Sequence, residues 1–275
     1  MSNLIYVYGV VRTGESIPSF RGISGESDAY AITFGSVDVI VCGVSEAEYS
    51  EEALKEKVNN PEWLHEKAFH HHEAVMKIYE HATVIPMKFG TIYESTESLE
   101  NKIMSQHDDL YASLNHLADK EEWNFKIYAN NEKLHKTTEA NNATVGAKKE
   151  AIGKLSPGRQ YLEKRRLDQL IDRELDKEKE SFCSLVHAGL DEYSEDSTVK
   201  KNWNKDVTGR TDEMCWNSVY LVKKDKVEDF LEHIKNLQHE WETSGWTIEA
   251  AGPWPAYHFA ESGTRGQAPC PKSEG

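Results

Sequence analysis

The hydrophobic positions in the first part of the chain form short runs followed by one helical stripe. Three runs of β-branched and aromatic residues, 4–11, 30–34 and 37–44, are separated by Gly, Ser and Asp, a pattern typical of strands joined by turns. Between residues 61 and 79 apolar residues recur at multiples of three and four positions, and Pro61 suits the first turn of a helix. The pattern predicts a sheet with a helix packed on one face.

Two further elements follow this helix. Residues 83–89 (TVIPMKF) have the composition of a strand, and the apolar residues between Leu99 and Leu117 mark one amphipathic helix. We therefore predict an N-terminal α+β domain over residues 1–118.

The second part of the chain alternates strands and helices again. Strands are predicted at 123–128, 214–222 and 246–251, with a weak strand region between Gly189 and Trp203. The apolar residues between Val227 and Trp241 predict a helix. A longer helix is predicted from Ser156-Pro157-Gly158 onwards, with an apolar face made of Leu167, Leu170, Ile171, Leu175, Phe182, Leu185 and Val186.

The order strand, helix, strand, strand, helix, strand is the ferredoxin-like arrangement. We therefore predict an α+β fold with two domains, of which the C-terminal one is a modified ferredoxin-like domain over residues 119–259. It carries a helical insertion near 130–155. A tail over 260–275, rich in Gly, Pro and Ser, is predicted to be disordered.

Charge and hydropathy narrow the choice of partners. The 275 residues carry a formal net charge of -15 and a mean hydropathy of -0.68. Nucleic-acid binding needs clustered Lys and Arg, so this charge argues against a nucleic-acid partner. No stretch approaches the roughly 20 apolar residues of a membrane span, and residues 1–11 lack the pattern of a secretory signal. We predict a soluble cytoplasmic protein with reduced cysteines.

A histidine-rich stretch in the predicted helix at 61–79 is the main hint of enzyme chemistry. It contains His65, Glu66, His70, His71, His72 and Glu73. A zinc-protease helix needs His-Glu-x-x-His, but Phe69 stands where the second histidine should be. His72 falls on the apolar stripe, which favours a histidine in the core or at its edge. A metal- or small-ligand-dependent enzyme using this cluster is the alternative function, but we predict no catalytic residue, metal or cofactor.

The segment 252–259 (GPWPAYHF) combines two prolines with three large aromatic rings. Such a segment is typical either of a clasp laid across the protein's own domains or of a docking strip for another protein. Because exposed aromatic patches of this size are uncommon on monomers, the clasp is favoured.

The same segment resembles the GPWPPYSF ending of the gas vesicle protein F/L family. Residues 85–93 (IPMKFGTIY) resemble the family's LPLRFGTVF, and residues 156–162 (SPGRQYL) resemble SPGRAYL. The opening YVYGVV at 6–11 and the EWNFK at 122–126 are also similar to family sequences. Since these motifs occur in order over most of the chain, it is identified as a member of this family.

The resemblance implies an accessory protein without catalytic residues, located at the gas vesicle in the cytoplasm. It implies a chaperone-like assembly factor or a minor structural component that binds the hydrophobic shell protein and other accessory proteins. An unassembled subunit with long apolar strands would aggregate unless it were covered, which makes a chaperone-like role physically sensible. A regulatory module that recognises only other accessory proteins is a further possibility.

Six residues of these motifs are predicted to contact a partner. They are Trp254, Tyr257, Phe259, Lys88, Phe89 and Arg159. The alternative is that all six only stabilise the interface between the two domains.

Overall fold

The computed structural model describes residues 3–260, which divide into two compact units. The first unit contains residues 3–121 and 253–260, and the second is Glu122–Gly252. The chain therefore returns to the first unit near its end. The boundary predicted at 118/119 stays a prediction, and the predicted tail lies, from residue 261 onwards, outside the described residues.

The first unit is built on an antiparallel sheet in the order β2-β3-β1-β4, with β5 also paired to β1. Its strands are β1 (Asn3–Arg12), β2 (Tyr30–Phe34), β3 (Val37–Ser45), β4 (Ile85–Pro86) and β5 (Ile92–Tyr93). β1 and β3 are almost entirely buried, which explains their near-continuous apolar sequences. The three strands predicted first are thus confirmed.

The pairing of β1 with β3 shifts between Val7 and Gly9, and the glycine is needed there for a steric reason. A Cβ at Gly9 would lie 2.7 Å from Cγ2 of Val84 and 2.9 Å from the carbonyl oxygen of Ile85. Glycine therefore lets β4 approach the irregular point of β1.

Residues 3–121 and 253–260 of the first unit contain five helices. They are α1 (Glu46–Tyr49), α2 (Glu51–Lys57), α3 (Pro61–Tyr79), α4 (Thr96–Ser105) and α5 (His107–Leu117). α3 has the predicted bounds because Asn60 caps it, accepting hydrogen bonds from the N–H groups of Glu62 and Trp63, with Pro61 in the first turn.

The single helix predicted between Leu99 and Leu117 is wrong, because the chain leaves the helical conformation at Gln106 (φ -122°, ψ 12°). The two halves pack on different strands, α4 against β2 and β5, and α5 against β1, β3 and β4. After the break, Nε2 of His107 accepts a hydrogen bond of 3.3 Å from the N–H of Ser36, in the turn between β2 and β3. One continuous straight helix could not make both the α4 and the α5 contacts with these strands.

The strand predicted at 83–89 is also wrong in length, since only Ile85–Pro86 pairs with β1. Pro86 has no N–H to extend a ladder, and Gly90 follows with a positive φ of 81°. The chain turns between Lys88 and Thr91 before it pairs again as β5.

The second unit contains a four-stranded sheet in the order β7-β8-β6-β9. Its strands are β6 (Lys120–Ala129), β7 (Asp196–Val199), β8 (Glu213–Lys223) and β9 (Trp246–Trp254). β9 extends three residues beyond the predicted strand and includes Pro253, which is tolerated because β9 is an edge strand. With both sheets antiparallel, the predicted α+β class is confirmed.

The helices of the second unit are α6 (Asn131–Asn141), α7 (Ala143–Gly153), α8 (Pro157–Asp191), α9 (Lys205–Thr208) and α10 (Val227–Trp241). α8 and α10 pack on β8, and α6 and α7 pack on α8. The apolar face predicted for α8 needs one correction. Leu185 is 73% exposed, whereas its neighbour Val186 is in the core, because the helix turns Leu185 away from the sheet.

Within residues 3–260, no helix is both long and apolar enough to cross a membrane.

Candidate functional site

The segment after β4 is held in place by a buried histidine on α3. Nε2 of His71 lies 3.0 Å from the carbonyl oxygen of Met87, and Nδ1 lies 2.8 Å from the hydroxyl of Tyr6. Because a carbonyl only accepts, Nε2 carries the proton and Nδ1 accepts from Tyr6. Burial lowers the pKa of His71 to about 4, which keeps the ring neutral. The histidine thus links α3, β1 and the segment that follows β4.

Aromatic rings surround this hydrogen-bonded pair. The ring of Tyr8 stacks on His71 with 5.7 Å between centroids, and Phe89 meets the same imidazole edge-on at 6.0 Å. The N–H of Gly90 donates to the hydroxyl of Tyr6 at 3.4 Å. Phe89 is therefore half-buried on the inner side of the turn, where it contacts the histidine.

Backbone hydrogen bonds fix the rest of the segment. The N–H of Met87 donates to the carbonyl of Tyr8, and the N–H of Val7 donates to the carbonyl of Thr91, both at 2.9 Å. The hydroxyl of Thr91 donates to the carbonyl of Lys88 at 2.7 Å and closes the turn. Lys88 is thereby held at an exposed position on a well-anchored backbone.

Beside this turn lies a cleft of about 510 Å³, lined by three separate parts of the first unit. The β4 segment, α5 and the end of the described chain each contribute to its wall. The lining residues are Ile85, Pro86, Met87, Lys88, Thr91, Gln106, Asp109, Leu110, Ser113, Tyr257 and Ala260. The wall is apolar at Ile85, Met87 and Leu110, and carries opposite charges at the exposed residues Lys88 and Asp109. Such a cleft suits one or two apolar side chains of a partner.

Two of the six predicted contact residues, Lys88 and Tyr257, therefore meet at one cleft. Tyr257 also packs against the core of the first unit. The half-buried ring of Trp254 lies 5.6 Å from the ring of His72. Phe259 is only 2% exposed, so its ring is already covered by the protein itself. Arg159 belongs to the second unit, where it is exposed in the first turn of α8.

The histidine cluster of α3 is divided among different surroundings. His65 stacks on Phe69, while His71 is the fully buried member and His72 is only half-buried. His72 was expected in the core or at its edge, and it lies half-buried at the edge, while the fully buried face carries His71, Ala74, Val75 and Ile78. Among residues 3–260, no group of three His, Cys, Asp or Glu side chains could hold a metal ion.

Sequence reasoning missed the role of His71 and the contribution of α5 to the cleft. The spacing of His71, Ala74, Val75 and Ile78 is that of one helix face, and this was a usable signal for the buried histidine. Asp109 and Leu110 carried no comparable signal, because their neighbours in the cleft come from distant parts of the sequence.

A family model described as gas vesicle synthesis protein GvpL/GvpF matches residues 4–261. Gas vesicle protein L of Streptomyces sp. (strain CB03234) is 24% identical over 260 residues, which cover 94% of this chain and 92% of that protein. Gas vesicle protein F1 of Halobacterium salinarum is 21% identical over 264 residues, covering 95% and 94% of the two chains.

Two crystal structures have a similar fold. The gas vesicle protein GvpF from Anabaena sp. PCC7120 gives a TM-score of 0.71 at 16% identity, over 95% of this chain and 99% of that one. GvpF from Microcystis aeruginosa gives a TM-score of 0.65 at 16% identity, over 95% of this chain and all of the other (100%).

Proposed function

Because this chain belongs to the gas vesicle synthesis protein GvpL/GvpF family and its role lies in gas vesicle formation, we propose that it is an accessory protein required for assembly which binds the hydrophobic shell protein. The binding site is the cleft beside Lys88 in the first unit. The protein acts at the gas vesicle inside the cell, as a chaperone-like factor or minor structural component, and also contacts other accessory proteins.

The observation that carries the proposal is the meeting of Lys88 and Tyr257 at one cleft. They belong to two motifs that lie far apart in the sequence, residues 85–93 and 252–259. A cleft with apolar walls and a charged rim resembles the pockets that hold an anchoring side chain in protein interfaces.

The rest of the molecule suits such a role. An apolar partner segment is prone to aggregate unless its exposed faces or edges are covered. The net charge of -15 helps to keep a complex with such a segment in solution, because like-charged complexes repel each other.

We also propose that the second unit is a modified ferredoxin-like domain. The support is the strand order β7-β8-β6-β9. In the sheet β6, the first strand of this unit, lies between β8 and β9, and helices follow β6 and β8 along the chain. This is the strand and helix order of a ferredoxin-like fold.

The test is co-expression of the tagged chain with the gas vesicle shell protein, followed by a pull-down from the soluble fraction. Two variants change the cleft, Leu110→Ser in its wall and Lys88→Glu at its rim. Met104→Ser is the matched control, because Met104 is a 51% exposed apolar residue of α4 that does not line the cleft. We expect the wild type and the control to retain the shell protein, and each cleft variant to retain about fivefold less.

Two results would change the conclusion. Equal retention by all four chains, with unchanged melting temperatures, would show that the shell protein binds another surface. No retention by the folded wild type would show that the chain acts through other accessory proteins and does not bind the subunit directly.

A further inference from the structure

The outer face of the first turns of α8 exposes two large apolar side chains next to each other. Tyr161 is 78% exposed and Leu162 is 69% exposed. Both belong to the SPGRQYL segment, which the cleft in the first unit does not use. Because the ring of Tyr161 and the isobutyl group of Leu162 stay in solvent, these two residues add little to the stability of the second unit. Adjacent exposed apolar side chains of this size indicate a contact surface.

Positive charges lie around the two apolar side chains. Arg159 precedes Leu162 by three positions and Arg165 follows it by three, so the three side chains are neighbours on one helix face. Arg165 is also four positions after Tyr161, one helical turn away. Among residues 3–260, Arg159, Lys164 and Arg165 take part in no ion pair, and all three are exposed.

Between Pro157 and Leu167 the one acidic side chain is already neutralised, and the next acid along α8 is the exposed Asp168, three positions after Arg165. Glu163 binds Nζ of Lys148 at 2.7 Å and the guanidinium of Arg166 at 2.6 Å. Its side chain is only 17% exposed and faces α7, away from the outer face. In a chain of net charge -15, these turns are therefore a local positive surface with an apolar centre.

We propose that this face of α8, formed by Arg159, Tyr161, Leu162 and Arg165, docks an acidic, amphipathic segment of another protein. Carboxylates of the segment pair with the two guanidinium groups, and one or two of its apolar side chains cover Tyr161 and Leu162. Tyrosine and arginine are the residue types that most often provide the energy of such contacts. This surface lies in the second unit and does not depend on binding of the shell protein at the cleft.

The charge of the whole chain favours an acidic segment over an anionic membrane. The Debye length is about 8 Å at physiological salt, so charges of this protein farther than that from a bound partner interact with it only weakly. A short segment contacts the positive face alone, whereas an extended anionic surface would also meet the acidic majority of this protein.

The test uses the full chain and a fluorescent helical peptide of about 15 residues that contains only Glu and Leu, with Leu on one face. Binding is measured by fluorescence anisotropy at low and high NaCl concentration. We expect the peptide to bind the wild type and affinity to fall about tenfold at the higher salt concentration, because the contact is partly ionic. A peptide with Lys in place of Glu should not bind.

Three variants separate the contributions. Arg159→Glu/Arg165→Glu reverses the charge, and Tyr161→Ser/Leu162→Ser removes the apolar centre. Each should weaken binding at least about tenfold while leaving the melting temperature unchanged, since all four side chains are exposed. Lys235→Glu, an exposed lysine of α10, is the control and should bind like the wild type.

Four results would overturn the proposal. The first is equal binding by all variants, and the second is equal binding of the Lys peptide. The third is sedimentation with vesicles containing about 30% phosphatidylserine that the same variants abolish, which would assign the face to a membrane. The fourth is a concentration-dependent dimer in ultracentrifugation that the variants dissociate, which would assign it to a second copy of this chain.

Discussion

The hydroxyl of Tyr6 on β1 donates a 2.8 Å hydrogen bond to Nδ1 of His71 on α3, across 65 positions of the sequence. Both side chains are buried, and the other nitrogen of the same imidazole holds the carbonyl of Met87 at the edge of the cleft. The conformation of the cleft segment is thus coupled to the packing of the core of the first unit.

Replacing Tyr6 with phenylalanine tests this coupling. We expect Tyr6→Phe to lower the free energy of unfolding by about 1–3 kcal/mol, because Nδ1 of His71 would lose its donor inside the core. Urea unfolding followed by tryptophan fluorescence measures the change. Tyr111→Phe is the control, since Tyr111 is 42% exposed, and its effect should stay within about 0.5 kcal/mol. Equal effects of the two substitutions would contradict the assigned role of the hydroxyl.

The stability of the first unit should depend on pH through His71. Its pKa falls from 6.5 to about 4 on burial, so between these values the unfolded chain binds a proton that the folded chain does not. Stability from this group is fully present above pH 6.5 and is lost as the pH falls towards 4. Between pH 7 and pH 5 the loss is about 2 kcal/mol.

The measurement is the free energy of urea unfolding at the two pH values. The variant His71→Gln lacks the titrating group and should show a smaller loss over the same interval. Burial also lowers the pKa of His70, so His70→Gln serves as a second reference for histidine titration. If His71→Gln keeps the full pH dependence, other groups cause it.

Two glycines of paired strands should respond differently to the same substitution. At Gly9 an added Cβ would meet Val84 and the backbone of Ile85 at under 3 Å, whereas at Gly43 nothing lies within 4 Å of it. We expect Gly9→Ala to cost about 1–3 kcal/mol of unfolding free energy. Gly43→Ala should be neutral or slightly stabilising, because alanine reduces the entropy of the unfolded chain. Thermal melting of both variants decides the matter, and a loss at Gly43 as large as at Gly9 would refute the steric explanation.

The neighbours Leu185 and Val186 test the correction made to α8. Val186 is 3% exposed in the core of the second unit, and Leu185 is 73% exposed. Val186→Ala should lower the unfolding free energy by about 2 kcal/mol through lost burial and the cavity that remains. Leu185→Ala should change it by no more than about 0.5 kcal/mol. Chemical denaturation of the two variants gives the comparison. A larger loss of unfolding free energy for Leu185→Ala than for Val186→Ala would contradict the assignment of Val186 to the core.

Sequence patterns predicted those elements that local rules determine. β1 and β3 are apolar along their length because both faces are covered, and α3 begins where Asn60 and Pro61 provide a cap and a first turn. The break at Gln106 could not be predicted in this way, since it depends on which strands α4 and α5 contact. Local periodicity continues through such a break without interruption.

The candidate site was predictable only in part, for a similar reason. Lys88 and Tyr257 were singled out because their motifs resemble a family, but nothing in the sequence indicated that they line one cleft together with Leu110. The fully buried histidine, His71, was not singled out, because His71 and His72 are adjacent and only packing decides which ring turns inward.

The return of residues 253–260 to the first unit has a consequence for biosynthesis. The N-terminal residues are synthesised first. Phe259, a buried residue of the first unit, is synthesised only after all of Glu122–Gly252. β9 runs to Trp254, so the last strand of the second unit is synthesised together with the start of this segment, and the first unit stays incomplete until then. A prematurely terminated chain would expose the apolar surface that Phe259 covers, so quality control could recognise the incomplete protein by its first unit.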